Sequence, residues 1–339
     1  MLRDIKEALR LSPDDFNWQV RQVQTLLHLG RNDEALSIYN RLKITNPGDL
    51  RIQTLASTLT KIYPSTQSSM KKTTSIYKLT AADKTDVGRQ RDQNEDCAYK
   101  RIEASEEGDC GLFIVADGEK PYGEVASRLT VEVISRALDS FFKPLPEHAV
   151  KKLYYEDESS NDIASSLLHA IQEANASLYK NILESGATER SMGTTCIAAV
   201  LHGANAYIAN VGDSRAYLIR QGQVRQVSQD HSWVAEQVRA GLLTEEQARV
   251  HGQRNVITRC MGAHSDVEVD VFTETVQEGD VLVLCTDGLS GVVSDEEIGS
   301  IVQQYEPEES VEQLIAHANE KGGPDNITAV VVRISPIKS

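Results

Sequence analysis

Several things are scarce in this chain of 339 residues, and each scarcity closes off a class of protein. There are five cysteines (Cys97, Cys110, Cys196, Cys260 and Cys285), an odd number without Cys-x-x-Cys spacing. That pattern speaks against a disulfide scaffold or a zinc site and for a reducing cytosol. No apolar run approaches the roughly 18 residues that a membrane helix needs. The opening MLRDIKEALRLSPDD scatters charges where a secretory leader would carry an apolar block. Glycine, at 21 residues, is far too sparse for a collagen-like chain. Aromatic residues make up only 5%, but the apolar share of 40% excludes disorder throughout. The expectation is a cytoplasmic protein without a membrane span, organised as two domains.

Positive charge is scarce over most of the chain. Residues 1–75 carry 11 Lys and Arg against 7 Asp and Glu, whereas the remainder carries 24 against 43. Nucleic-acid binding rests on cationic contacts to phosphate, so a body this acidic is not expected to bind nucleic acid, and a two-metal nuclease is excluded with it. Much of the acidic excess serves solubility. Some of it is expected to cluster around divalent cations.

Near the N-terminus, Pro13 and Pro47 stand 34 residues apart in similar settings, ALRLSPDD and RLKITNPGD. Between them FNWQVRQVQTLLHLG and DEALSIYNRLKI repeat apolar residues at i, i+3, i+4, with Gly30 at the turn. The period, with Leu26, Gly30, Ala35, Tyr39 and Pro47, resembles a tetratricopeptide repeat, though the Trp-Leu-Gly opening is missing. Residues 1–62 are therefore read as an all-α segment that could take a protein partner. The aperiodic, Ser/Thr/Lys-rich stretch 63–75 is read as a linker.

Downstream the texture turns to short β-rich runs: GLFIVA (111–116), TCIAAVLH (195–202), NAYIANV (205–211), SRAYLIRQ (214–221), DVLVLCT (280–286) and ITAVVVRI (327–334). Helical patterns at 123–142 and 160–184 lie among them, and HGAN and RQGQ read as hairpin turns. Paired helices between strand blocks argue for α+β layers with mostly antiparallel sheets. Three of the strand runs end on acidic pairs: Asp117-Gly118, Gly212-Asp213 and Asp287-Gly288. Asp325 directly precedes a fourth strand, and Glu95-Asp96 follows GRQRDQN. A single such aspartate is an ordinary turn former. Several at the mouths of core strands in one sheet system would meet, repel, and require cations. Oxygen ligands without His or Cys favour Mg²⁺ or Mn²⁺. Two such ions would hold a bridging hydroxide for attack on phosphorus.

Residues 76–335 resemble the metal-dependent, type 2C family of protein serine/threonine phosphatases nearly end to end. The motifs VGRQRDQNED (87–96), FIVADG (113–118), GEVAS (123–127), SMGTT (191–195), ANVGDSRAY (209–217), RNVITRCMG (254–262), LVLCTDGLSGVVSDEEI (282–298) and GGPDNITAVVV (322–332) come in family order. The resemblance implies a β-sandwich of two antiparallel sheets flanked by helix pairs, with a binuclear metal site at one edge. It implies that Asp117 bridges both cations, with the Gly118 carbonyl beside it, and that Asp287 and Asp325 hold the first. Glu95 and Asp96 match positions that hold metal-bound waters or support ligands. Asp213 matches the ligand of a third, weaker cation. Arg91 matches an arginine that grips the substrate phosphate, and Thr194, Thr195 and Asn326 match supporting positions. Residues 230–252 match a mobile flap beside the cleft.

One departure stands out. The family's glycine-rich Asp-Gly-Met-Gly-Gly-His turn is replaced by Glu119-Lys120-Pro121-Tyr122, two residues shorter. Glu119 takes the place of a histidine proposed as general acid. A protein phosphatase acting on phosphoserine and phosphothreonine is expected. A weakly active, phosphatase-fold binding module working through the helical segment stays open as the alternative.

Overall fold

A computed structural model describes residues 16–28, 77–104, 108–119, 121–142, 159–184 and 192–336, together with the helical positions Ala35, Ile38, Tyr39, Leu42 and Leu55. The chain divides into two compact units, Met1–Thr73 and Thr74–Ser339.

In the first unit, helix α1 (Phe16–His28) follows the 3.6-residue period read from FNWQVRQVQTLLH. It buries Val20, Val23 and Leu26 with Ala35, Tyr39, Leu42 and Leu55, a small core of its own. Pro13, Gly30, Pro47 and the 63–75 connection lie outside the described residues, and the repeat expectation lies outside them too.

The second unit opens with β1 (Tyr77–Asp86), β2 (Cys97–Glu103), β3 (Cys110–Ala116) and the two-residue β4 (Gly118–Glu119). Helices α2 (Gly123–Ala137) and α3 (Ser159–Glu184) follow, then β5 (Gly193–Thr194), β6 (Cys196–His202), β7 (Asn205–Val211), β8 (Arg215–Arg220) and β9 (Gln223–Gln226). After α4 (Trp233–Arg239) and α5 (Glu245–Arg249) come β10 (Asp270–Thr275), β11 (Val281–Cys285), α6 (Asp287–Ser290), α7 (Asp295–Gln304), α8 (Pro307–Glu320) and β12 (Ile327–Pro336). The helix expected over 123–142 ends earlier, at Ala137, and a 3₁₀ turn over Asp139–Phe142 completes the span.

Two five-stranded antiparallel sheets result, ordered β1-β12-β11-β8-β9 and β10-β7-β6-β3-β2. Strand alternation divides each central strand between two cores. On β3, Phe113 and Val115 face the layer between the sheets, while Leu112, Ile114 and Ala116 pack in the core shared with α2 and α3. On β11, Leu282 and Leu284 point to the middle layer, and Val281, Val283 and Cys285 join Ile298 and Leu314 from α7 and α8. Both faces of these strands are covered, so they read as unbroken apolar runs rather than alternating ones. Both hairpin turns are present, and Gln221 (φ 49°) and Gly222 (φ 87°) give the second the two positive-φ residues of a type I′ turn.

Register gathers the strand ends. Cys97 pairs with Ala116, Val211 with Cys196, Cys285 with both Ala329 and Arg215, and Asp86 with Ile327. Antiparallel pairing therefore places the ends of β1, β3, β7 and β11 and the starts of β2, β6, β8 and β12 along one rim.

Candidate active site

That rim carries the acidic residues singled out in the sequence. Asp117 lies within hydrogen-bonding reach of both Asp96 and Asp287, and Asp213 and Glu119 act on it as neighbouring charges. Burial first, and these like charges second, push the Asp117 carboxyl well above the ordinary range. Asp213 and Asp287 are raised for the same two reasons, and Asp96 is pushed up to about 7. One oxygen each of Asp96 and Asp287, Oδ1 in both, is buried without a hydrogen-bond partner. Such atoms are costly to leave unmatched in a folded protein.

Backbone contacts hold these carboxylates in place. The Asp117 carbonyl accepts from Thr195 N–H (2.8 Å) and Thr194 Oγ1 (2.8 Å), while its N–H donates to Thr195 Oγ1 (3.0 Å). Thr195 Oγ1 in turn lies 2.7 Å from Ser214 Oγ, beside Asp213. Asp96, at the start of β2, is held from the opposite sheet: its Oδ2 accepts from Thr286 Oγ1 (3.0 Å) and Thr328 Oγ1 (2.7 Å). Those threonines were not singled out in the sequence. Their signal is a hydroxyl at the last position of the apolar run before Asp287, and another just inside the run after Asp325.

Glu95 is buried, its N–H donates to Asn326 Oδ1 (2.9 Å), and its carbonyl accepts from Gly118 N–H (3.2 Å) and Ser127 Oγ (2.6 Å). Asn326 was expected to support Asp325, and its N–H does donate to Asp325 Oδ1 at 2.8 Å. Its side chain does more for the 87–95 loop, donating to the carbonyls of Val87 and Gln93 (2.9 Å each). That loop delivers Arg91, whose Nη2 donates to Asp325 Oδ2 at 2.7 Å. Burial works against the Arg91 charge, but Asp325, Asp117 and Glu95 outweigh it.

The glycine after each strand-end aspartate has a steric reason that turn preference did not suggest. A Cβ on Gly118 would sit 2.2 Å from the Gly123 carbonyl oxygen, and one on Gly288 would sit 1.8 Å from that of Asn326. Only hydrogen fits at either contact. The shortened loop is accommodated by β4, which pairs with β5 and matches Glu119 with Gly193, before Pro121-Tyr122 turns the chain into α2. Glu119 belongs to an exposed residue, but its carboxyl is desolvated enough, and near enough to Asp287 and Asp325, to be raised from the ordinary value.

All nine residues expected at the site therefore meet on one rim. Among the described residues, no three carboxylate, imidazole or thiol groups converge closely enough to hold an ion as they stand. Arg91 on Asp325 and the Asp96–Asp117–Asp287 contacts hold the carboxylates instead. The donor set is nonetheless that of a hard divalent cation: oxygen only, two oxygens buried and unmatched, and more negative charge than Arg91 and Arg215 balance. A two-sheet sandwich with such a rim is built for metal-assisted chemistry on a phosphate.

Comparison with known proteins agrees. The family model for protein phosphatase 2C matches residues 88–331. The serine/threonine phosphatase stp of Listeria innocua is 34% identical over 252 residues, 74% of this chain and 93% of that protein. Serine/threonine protein phosphatase PstP of Mycobacterium tuberculosis is 33% identical over 258 residues, 76% of this chain and 45% of that one. The crystal structure of the Mycobacterium tuberculosis serine/threonine phosphatase PstP/Ppp matches with TM-score 0.63 and 34% identity, covering 76% of this chain and 99% of that one. A structure of the PstP catalytic domain in complex with two manganese ions matches with TM-score 0.61 and 31% identity over 76% of this chain and 98% of that one. This chain belongs to the protein phosphatase 2C family, and is a metal-dependent phosphatase.

Among the described residues, no helix is long and apolar enough to cross a membrane.

Proposed function

We propose that the chain hydrolyses phosphoserine and phosphothreonine in protein substrates, using two divalent cations, Mn²⁺ or Mg²⁺, at the acidic rim. The reading rests on one observation above the rest: the mutually repelling carboxylates at the strand ends, two with a buried, unmatched oxygen, outnumbering the two arginines, Arg91 and Arg215, that act on them. Asp117, at the centre of the group, would be shared by two cations, with the Gly118 carbonyl beside it. Asp287 and Asp325 would hold one cation, and Glu95 and Asp96 would orient its surroundings. Asp213, with Asp287, would take a third and weaker cation. When bound, the cations neutralise the cluster, activate water and stabilise charge on the transferring phosphoryl group.

The protein's own part is to position. Arg91, which donates to Asp325 here, would offer its guanidinium to the phosphate oxygens of a bound substrate. Thr194 and Thr195 keep Asp117 from retreating, and Thr286 and Thr328 do the same for Asp96. Glu119, whose carboxyl is raised in pKa by desolvation and by Asp287 and Asp325, would protonate a departing serine or threonine oxygen. The helical segment 1–62 would supply a surface for a protein partner.

The test is release of phosphate from a phosphothreonine peptide with and without Mn²⁺, with Asp287→Asn as control. Turnover that persists in EDTA, or in the control, would overturn the proposal. For Glu119, Glu119→Gln should slow an alkyl phosphate far more than a nitrophenyl phosphate, whose leaving group needs no proton.

A further inference from the structure

The turn that replaces the family's glycines puts an aromatic residue at the edge of the rim. Gly118 and Gly123 lie backbone to backbone: a Cβ on Gly118 would sit 2.2 Å from the Gly123 carbonyl oxygen, and one on Gly123 would sit 2.4 Å from that of Gly118. The residues between them, Glu119-Lys120-Pro121-Tyr122, therefore form a closed loop whose two ends touch. Tyr122 stands at the closing end, next to the glycine that touches Gly118, whose carbonyl belongs to the proposed cation site. Pro121 fixes one backbone torsion just before it. The Tyr122 carbonyl accepts from Val125 N–H (3.2 Å) and Ala126 N–H (3.1 Å), which starts α2. Further along the same helix, Ser127 Oγ donates to the Glu95 carbonyl (2.6 Å), so the platform under Tyr122 is tied to the rim itself.

What that platform carries is apolar and open. Tyr122 is 51% exposed and Val125 53%, three residues apart at the start of α2, the spacing of neighbours on one face. The core face of the helix is a different one, carried by Ala126, Thr130, Val131 and Ile134. Glu124, the charged residue between the pair, has its carboxylate engaged by Arg128 at 3.0 Å. A single exposed apolar residue needs no explanation. Two of them beside an acidic rim do, because a peptide substrate must pass there: a phosphoseryl side chain is short, so the residues flanking a bound phosphate stay near the rim. An aromatic side chain on a fixed backbone also offers a large contact area while few torsions are lost on binding.

We propose that Tyr122 and Val125 form an apolar wall on the Gly118 side of the site, where they contact the side chain next to the phosphorylated residue. The wall makes the enzyme prefer phosphopeptides with an aromatic or branched aliphatic residue at that position. This rests on the phosphatase reading above and names the peptide class that the reading leaves open. The patch is continuous with the site through the Gly118–Gly123 contact, and a peptide held by its phosphate is the occupant that reaches both. Tyr122 touches no reacting atom; its contact is the same in ground state and transition state.

Two phosphothreonine peptides separate the contact from the chemistry, one with glycine on both sides of the phosphothreonine and one with leucine there. With Mn²⁺, the wild-type chain should favour the leucine peptide about tenfold in kcat/KM, the size of one apolar contact. The difference should lie in KM rather than kcat. Tyr122→Ser should bring the two peptides within about twofold of each other. It is expected to fold, because Tyr122 caps α2 without a side-chain hydrogen bond and serine is a favoured residue there. Tyr122→Phe should keep the preference, since the ring and not the hydroxyl makes the contact. Val125→Ser, at an exposed helical position, gives an independent reading and should cut the preference about threefold. If Tyr122→Ser slows both peptides alike, or weakens Mn²⁺ binding measured by calorimetry, Tyr122 only shapes the loop and the proposal fails. It fails too if the wild type shows no preference, or if the preference survives Tyr122→Ser. In each of these cases, Mn²⁺-dependent phosphate release from the glycine-flanked peptide upholds the phosphatase reading. A wild-type chain that releases phosphate from neither peptide would overturn both.

Discussion

β3 and β11 each lie between two aspartates, and the two ends of each strand are built in opposite ways. Asp109, before β3, accepts from Lys78 Nζ and Leu79 N–H, both at 2.9 Å. Asp280, before β11, accepts from Arg220 through Nε (2.9 Å) and Nη2 (2.7 Å) and from Gln277 N–H (2.8 Å). At the far ends, Asp117 and Asp287 meet other carboxylates, and Asp287 Oδ1 has no partner at all. Asp280 is the more deeply buried of the β11 pair, with 1% exposure. Burial of an acid is therefore not what marks the site. What marks it is burial without donors, since a matched carboxylate is a structural strut and an unmatched one is a place kept for a cation.

The largest expected effect that could break this contrast is on catalysis. Asp117→Asn should lower Mn²⁺-dependent phosphatase activity by about a thousandfold or more, on the order of 4 kcal/mol of transition-state stabilisation. The same substitution should leave the melting temperature in EDTA unchanged or higher, because it relieves repulsion. A fall in that melting temperature would show that the unmatched end is a strut after all. At the matched end the outcome reverses. Asp280→Ala strands Arg220 and the Gln277 N–H, and should cost about 3 kcal/mol, or roughly 6–12 °C in melting temperature. Mn²⁺ affinity measured by calorimetry should not move.

Cation binding itself should distinguish the two ends. At about one hundred times its dissociation constant, Mn²⁺ should stabilise the folded chain by about 2.7 kcal/mol. That gain should persist in Asp280→Ala and largely vanish in Asp117→Asn. A smaller effect falls on substrate binding: Arg91→Ala should raise KM more than it lowers kcat if Arg91 holds ground state and transition state alike. A fall in kcat with KM unchanged would instead place Arg91 on charge that develops only in the transition state.

The smallest effect is a matched carboxylate titrating in the opposite direction from the rim. Glu297, on α7, is held by Lys321, by the Ser294 N–H and by His317, which bring its pKa down to about 2. Its folded-state pKa lies below the unfolded one, so its contribution is complete above about pH 4.3 and is lost as pH falls toward 2. A carboxyl-detected titration by NMR should show the low midpoint, and Lys321→Ala should raise it.

Much of this was legible in the residues. The apolar runs gave the central strands within one or two positions, because a strand covered on both faces must be apolar throughout. Strand β1 was not singled out: YKLTAADKTD mixes Ala, Asp and Lys, and its partly buried edge position demands no apolar run. Asp117, Asp213 and Asp287 drew attention because each stands at the abrupt end of such a run, and Asp325 because it stands just before one. Their braces did not, since Thr286, Thr328 and Ser127 act across 32 to 232 residues of sequence and look like ordinary hydroxyls. Likewise, Gly118 and Gly288 read as turn formers, whereas close backbone approach decides both.

What the sequence by itself determined was the inventory: which strands are central, where each one stops, and that acids stand at those stops. These are local properties, written in the period of apolar residues and the residue that breaks it. Only the tertiary structure decided which acids are struts and which are vacant of donors. Asp109 and Asp117, or Asp280 and Asp287, are alike in type and in their place at a strand end. They differ in what the folded sheets bring against them: Lys78 or Arg220 at one end, another carboxylate at the other. The physical reason is that a carboxylate's state depends on the donors and charges within a few ångströms, and here those come from residues distant in the chain.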